Sequence, residues 1–157
     1  MKIVLIALNA RYSHSNPALR YLKHACTSNT DWQCEWLEWS INGNLMELVE
    51  ALIATTPQAV GFSCYIWNIQ RFRELAFLIR QVLPDTIQIW GGPEAGSNAA
   101  LALANGADYV IRGEGEPSLP PLLNAIARQD DLQKVPGLVW LENGQIKETP
   151  LPPCMPD

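Results

Sequence analysis

Short apolar runs alternate with amphipathic stretches along most of the chain, and this pattern predicts strands that are each followed by a helix. The predicted strands cover residues 2–8, 33–39, 59–64, 87–90 and 107–112. The first of them, KIVLIAL, is continuously apolar, which is typical of a strand covered on both faces.

The predicted helices follow these strands over residues 16–26, 44–57, 68–84, roughly 97–105 and about 117–129. Asn16 is a plausible N-cap with Pro17 at the first helical position, and Asn68 can cap the third helix, which Pro84 ends. Five βα units in succession predict a doubly wound α/β fold, Rossmann-like or flavodoxin-like, with a five-stranded parallel sheet.

The pattern changes after Gln129. Two extended arms flank Asn143–Gly144, and an Asn-Gly pair between alternating arms is a strong β-hairpin signal. The Pro-rich end, LPPCMPD, is typical of a linker. We therefore expect an α/β domain over 1–130, a β-hairpin extension over 131–150 and the start of a linker at 151–157.

Composition excludes several classes of function. The net charge of −5 argues against nucleic-acid binding, and no basic run suits a membrane surface. With no signal or membrane-spanning segment visible, the expected compartment is the cytoplasm. The four cysteines show no CxxC or zinc spacing, so we expect reduced, buried thiols and no metal site.

Ligands of doubly wound sheets bind at the carboxyl ends of the strands, so the loops there are informative. The glycines of GGP at 91–93 either admit a ligand or form a tight turn. Glu114 and Glu116 precede a predicted helix, where capping is favoured over ligand contact. Tyr65 and Trp67 either stack on a planar ligand or pack over the sheet edge.

Familiar ligand motifs are largely missing from these loops. The first loop, NARYSHS, contains no glycine and so departs from the dinucleotide fingerprint GxGxxG. A hydrolase elbow, GxSxG, is also absent, and no catalytic residue is predicted. Ser13 and Ser15 leave a flavodoxin-type flavin loop open.

Five segments together resemble one family: LNARYSHSNPALRYL, VGFSCYIWN, IWGGPEAG, ADYVIRGEGEPSLPPLL and VPGLVW. They are similar to the N-terminal cobalamin-binding domain of B12-dependent radical SAM proteins, of the magnesium-protoporphyrin monomethyl ester cyclase-like group. The resemblance implies cobalamin at the carboxyl edge of the sheet. The cofactor-binding residues that it implies are Asn9, Tyr12, Ser13, His14, Ser63, Cys64, Tyr65, Gly91, Gly92, Pro93, Gly113, Glu114 and Gly115.

In such proteins a downstream core binds a [4Fe–4S] cluster through CxxxCxxC, together with S-adenosylmethionine. That motif is not in this sequence, so the resemblance implies a fragment that binds cobalamin without catalysing a reaction. Its partner would be the radical SAM domain of the same polypeptide, acting on an unidentified small-molecule substrate.

His14 is the one histidine in these loops. Related proteins that place a histidine on cobalt use Asp-x-His-x-x-Gly, whereas here Tyr12 and Pro17 stand at the Asp and Gly positions. The resemblance therefore implies a displaced nucleotide tail with no histidine on cobalt. Two other hypotheses stay open: a cofactor-free interaction or regulatory domain of the same fold, and a small flavin- or nucleotide-binding protein.

Overall fold

The computed structural model describes residues 1–10 and 16–153, and that part of the chain contains seven β-strands, six α-helices and a short 3₁₀ helix. In chain order they are β1 (Lys2–Asn9), α1 (Pro17–Asn29), β2 (Gln33–Ser40), α2 (Leu45–Thr55), β3 (Ala59–Ser63), α3 (Ile69–Val82), β4 (Ile87–Gly91), α4 (Pro93–Ser97), α5 (Ala99–Ala104), β5 (Tyr109–Ile111), α6 (Leu119–Arg128), the 3₁₀ helix (Leu132–Lys134), β6 (Leu138–Glu142) and β7 (Gln145–Glu148).

All seven strands form one sheet, in the order β2-β1-β3-β4-β5-β6-β7. Strands β1 to β5 are parallel, which confirms the doubly wound α/β prediction. The predicted hairpin forms, but it joins the sheet, because β6 pairs antiparallel with β5 and brings Ile111 opposite Leu138. The sheet has seven strands rather than five because the buried apolar face of β6 covers the edge of β5.

Two hydrophobic cores lie on opposite faces of this sheet. Alternate residues of β1 belong to each: Val4, Ile6 and Leu8 face α2, α3 and α5, whereas Ile3 and Leu5 face α1 and α6. This arrangement explains why β1 is apolar at every position from Ile3 to Leu8.

The predictions of helix caps and helix bounds are confirmed only in part. Asn16 caps α1 by accepting a hydrogen bond from the Ala18 amide at 3.1 Å. The helix predicted at 97–105 is instead two helices, α4 and α5, divided at Asn98. Helix α6 begins at Leu119 and has no acidic residue in its first turn, so the predicted capping by Glu114 and Glu116 was wrong.

Cys26, Cys34 and Cys64 are buried free thiols, as expected, whereas Cys154 lies outside the described residues. None of the helices within the described residues has the length and apolar character needed to span a membrane.

Candidate cofactor-binding site

A cavity of about 230 Å³ opens at the carboxyl edge of the sheet, between the sheet and helices α1 and α6. Four neighbouring strands, β1, β3, β4 and β5, each contribute one residue to its floor, and the helices form its sides. The floor consists of Leu5, Gly61, Ile89 and Ile111, and the sides include Ala18, Leu19, Leu22 and Leu119. The interior is therefore apolar.

Gly61 lies in the interior of β3, where a glycine weakens a strand and often marks the close approach of another group. A Cβ atom at this position would lie 2.8 Å from Cδ2 of Leu5 and so would enter the floor of the cavity. Gly61 was not among the predicted site residues, although its position inside an apolar strand was a usable signal.

Gly91 and Gly92 have different roles although they are adjacent. A Cβ on Gly91 would meet nothing closer than the Phe62 carbonyl oxygen at 4.0 Å, so this glycine leaves the cavity open. Gly92 has a φ of +91°, and a Cβ there would lie 2.5 Å from the backbone oxygen of Cys64. Gly92 is therefore required by the turn itself.

The loop between β5 and α6 also borders the cavity and forms part of its rim. Gly113 has a φ of +78°, which favours glycine. A Cβ on Gly115 would lie 2.7 Å from Cδ2 of Leu22, so this residue lets the loop pack against α1. Glu114 and Glu116 place two carboxyl groups at the mouth of the cavity.

Ser63 supplies a hydroxyl group at the mouth. Its Oγ accepts a hydrogen bond from Nδ2 of Asn16 at 3.2 Å, and the same Asn16 caps α1. A serine hydroxyl can accept and donate at once. The side chain is half-buried and keeps a donor for a ligand in the cavity.

The loop after β3 is held by Asn68, which is buried. Its Oδ1 accepts from the Tyr65 amide at 2.8 Å, and its Nδ2 donates to the carbonyl oxygens of Leu8 and Ser63, each at 3.1 Å. The loop presents Tyr65 to the cavity and stacks it on Trp67, with ring centroids 4.5 Å apart and 8° between the planes. Trp67 remains 54% exposed.

The structure brings most of the predicted residues together. Those that line this cavity are Ser63, Tyr65, Gly91, Gly92, Pro93, Gly113, Glu114 and Gly115. Cys64 does not line it, because its thiol lies in the core on the other face, where burial raises the thiol pKa well above its ordinary value. Asn9 lines a separate cavity, and Tyr12, Ser13 and His14 lie outside the described residues.

This geometry fits a flat, mostly apolar group that enters from the sheet edge and leaves its polar atoms at the mouth. Glycines at 61 and 91 make the room, because a side chain at either position would project toward the cavity. The nucleotide tail of cobalamin has this shape, since it ends in a flat heteroaromatic base joined through polar linkages.

Comparison with known proteins agrees with this fit. The family described as the B12 binding domain matches residues 3–123. The anaerobic magnesium-protoporphyrin IX monomethyl ester cyclase of Synechocystis is 31% identical over 115 residues, which cover 71% of this chain and 23% of that protein.

Two solved structures share the fold. The cobalamin-dependent S-adenosylmethionine radical enzyme OxsB, with aqua-cobalamin and S-adenosylmethionine bound, has a TM-score of 0.85 at 15% identity and covers 98% of this chain. The radical S-adenosylmethionine methyltransferase TsrM from Kitasatospora setae, with cobalamin and a [4Fe–4S] cluster bound, has a TM-score of 0.80 at 22% identity and covers 99%.

This chain spans only 22% of the OxsB chain and 30% of the TsrM chain. The family match covers most of the sequence, including the strands and glycine loops that form the cavity. The chain therefore belongs to the B12-binding domain family, whose cofactor is cobalamin.

Proposed function

We propose that this chain binds cobalamin with the nucleotide tail inserted into the cavity between α1, α6 and the sheet. The observation that carries the proposal is the glycine-lined, apolar cavity at the carboxyl edge. The base of the tail would lie over Gly61 and Ile89, and the Ser63 hydroxyl would donate a hydrogen bond to it. Gly91 would let the tail pass the rim.

The corrin ring would then lie above the sheet edge, over the loop that follows β3. Exposed apolar side chains of this loop support this position: Ile66 is 78% exposed and Trp67 is 54% exposed. The ring stack of Tyr65 and Trp67 offers a flat apolar surface beside the cavity. When bound, cobalamin supplies a cobalt centre for methyl-transfer or radical chemistry.

We further propose that no histidine of this chain ligates cobalt. His14 lacks the Asp-x-His-x-x-Gly context, and Pro17, at the glycine position, is the first residue of α1. The absorbance spectrum of the complex should be of the base-off type and should be the same in His14→Ala. A spectrum that changes in His14→Ala would show that His14 binds the metal.

The chain after β7 runs along the edge of the sheet toward the loop that follows β5. Arg112 Nη2 donates to the Thr149 carbonyl oxygen at 2.6 Å, and the Gly137 amide donates to that of Pro150 at 2.7 Å. Leu151 and Pro152 then pass beside Gly113 at the rim of the cavity. Residues 149–152 therefore lead toward the edge where the corrin would lie.

Because this chain spans only part of the radical SAM proteins OxsB and TsrM, we infer that a radical SAM core belongs to the same polypeptide, in the cytoplasm, and uses the cobalamin that this domain presents. That core would hold the [4Fe–4S] cluster and S-adenosylmethionine, and would act on a small-molecule substrate. The domain itself would bind the cofactor, orient it and take no part in bond breaking.

Titration with hydroxocobalamin, followed by gel filtration and absorbance, tests the proposal. The wild-type chain should co-elute with the corrinoid. Gly91→Val should fold, because its side chain would enter open space, but should bind at least about tenfold more weakly because it fills the cavity. Gly96→Ala, which adds bulk outside the cavity lining, is the matched control.

If Gly91→Val binds cobalamin as tightly as the wild type, the nucleotide tail does not enter this cavity. Failure of the wild-type chain to bind cobalamin would contradict the proposal that it is a cobalamin-binding module. Parallel titration with FMN separates a flavin-binding protein from a domain that has lost its cofactor.

A further inference from the structure

A second cavity, of about 450 Å³, lies at the carboxyl ends of β1 and β2, beside the start of α2. Unlike the cavity between the sheet, α1 and α6, called the tail cavity from here on, it is lined mainly by polar and charged side chains. The described residues that line it are Asn9, Glu38, Trp39, Ser40, Gly43, Asn44 and Glu47. None of these residues lines the tail cavity.

Glu38 is half-buried in this cavity, and Asn9 fixes its side chain. Nδ2 of Asn9 donates to Oε2 of Glu38 at 2.8 Å. An ionised carboxylate has two oxygens and about four acceptor positions, and within the described residues Asn9 occupies one of them. The group is therefore held in place while still able to accept hydrogen bonds from N–H donors.

The second cavity lies on the same edge of the sheet as the tail cavity. Asn9 and Ser40 are the last residues of β1 and β2, just as Ser63 and Gly91 are the last residues of β3 and β4. The sheet order places β2 three strand spacings from β4, which is about 14 Å. A corrin ring with its amide side chains can bridge that distance.

We propose that Glu38 is a specificity-determining residue that accepts a hydrogen bond from a side-chain amide on the rim of the corrin. This inference rests on the proposed function, because the tail cavity sets where the ring lies. An amide N–H is attracted to the carboxylate, whereas a carboxylate at the same place on the ring is repelled. The domain therefore selects fully amidated cobalamin over corrinoids that carry a free acid at that position.

The isomeric monocarboxylic acids of cobalamin, each with one side-chain amide hydrolysed, provide the probes. At pH 7.5 the wild-type chain should bind at least one isomer about tenfold or more weakly than cobalamin. Glu38→Gln keeps an oxygen that can accept from Asn9 but removes the charge. We expect Glu38→Gln to bind that isomer and cobalamin with nearly equal affinity, so that the ratio of the two affinities is close to one. The melting temperature should change little.

Glu35→Gln is the matched control, because Glu35 lies on the same strand near its amino end, where it pairs with Lys2. It changes the net charge equally and should leave the ratio as in the wild type. Equal binding of cobalamin and all the acid isomers by the wild type would overturn the inference. It would also be overturned if Glu38→Gln still bound the acid isomer as much more weakly than cobalamin as the wild type does. Either result would leave cobalamin binding, and so the proposed function, intact.

Discussion

At the scale of single residues, the rim of the tail cavity depends on where each glycine can tolerate a Cβ atom. The Cys64 backbone is fixed on both sides, since its amide donates to the Gly91 carbonyl at 2.8 Å and its carbonyl accepts from the Glu94 amide at 3.2 Å. It therefore cannot move away from a side chain at position 92. Gly91 has no such neighbour and faces open space.

Gly92→Ala should consequently lower the free energy of unfolding by at least about 1–3 kcal/mol, because it combines a left-handed φ with a clash against fixed backbone. Gly91→Ala should change it by less than about 1 kcal/mol. Urea denaturation followed by circular dichroism measures both values. Equal destabilisation by the two variants would contradict the distinct roles assigned to these glycines.

At the scale of elements, Asn68 joins two parallel strands to the loop that begins α3. The residue occupies the N-cap position of α3, yet its side chain makes no capping hydrogen bond. It instead bonds to the backbone of Leu8, Ser63 and Tyr65. The position of Tyr65 at the cavity therefore depends on one buried amide.

Asn68→Ala should lower the free energy of unfolding by at least about 2 kcal/mol, because it leaves buried backbone groups without partners. Cobalamin affinity should fall as well, since the loop that carries Tyr65 and Trp67 loses its support. Chemical denaturation and cobalamin titration measure the two effects. Asn105→Ala, which removes one exposed hydrogen bond at the end of α5, is the control. If Asn68→Ala lowers stability and affinity as little as Asn105→Ala does, Asn68 does not support this loop.

At the scale of the whole molecule, packing on the two faces of the sheet favours the neutral form of two ionisable groups, Cys64 on one face and Tyr109 on the other. Burial raises the pKa of the Cys64 thiol above its ordinary value of 9.0, and Glu94 adds to the effect. Burial likewise raises the pKa of Tyr109 above 10.0, with a further contribution from Asp108. Above these ordinary values the unfolded chain loses protons that the folded chain keeps, so high pH favours unfolding.

The contribution of Cys64 to stability should therefore be fully present below pH 9 and decline as the pH rises above it, by up to about 1.4 kcal/mol per pH unit. Cys64→Ala should be less stable at pH 7 because it leaves a gap in the core, but should lose stability less steeply between pH 9 and 11. Urea denaturation under reducing conditions across this range gives the slopes. Parallel slopes for the two proteins would contradict a raised pKa.

The amino-acid sequence by itself determined the order and type of most elements, because periodicity, caps and turns are local. The continuous apolar run of β1, the Asn16–Pro17 start of α1 and the Asn143–Gly144 turn all function through near neighbours in the chain. The glycine motifs at 91–92 and 113–115 likewise identified the loops that form the rim.

Only the tertiary structure decided what those loops enclose. The cavity joins Leu5, Gly61, Ile89 and Ile111 with helices from distant parts of the chain, and their convergence follows from the strand order. The sequence likewise did not separate Gly91 from Gly92, or place Asn9 beside Glu38, because each depends on contacts across the sheet. Local pattern sets which face a residue occupies, whereas packing between elements sets which faces meet.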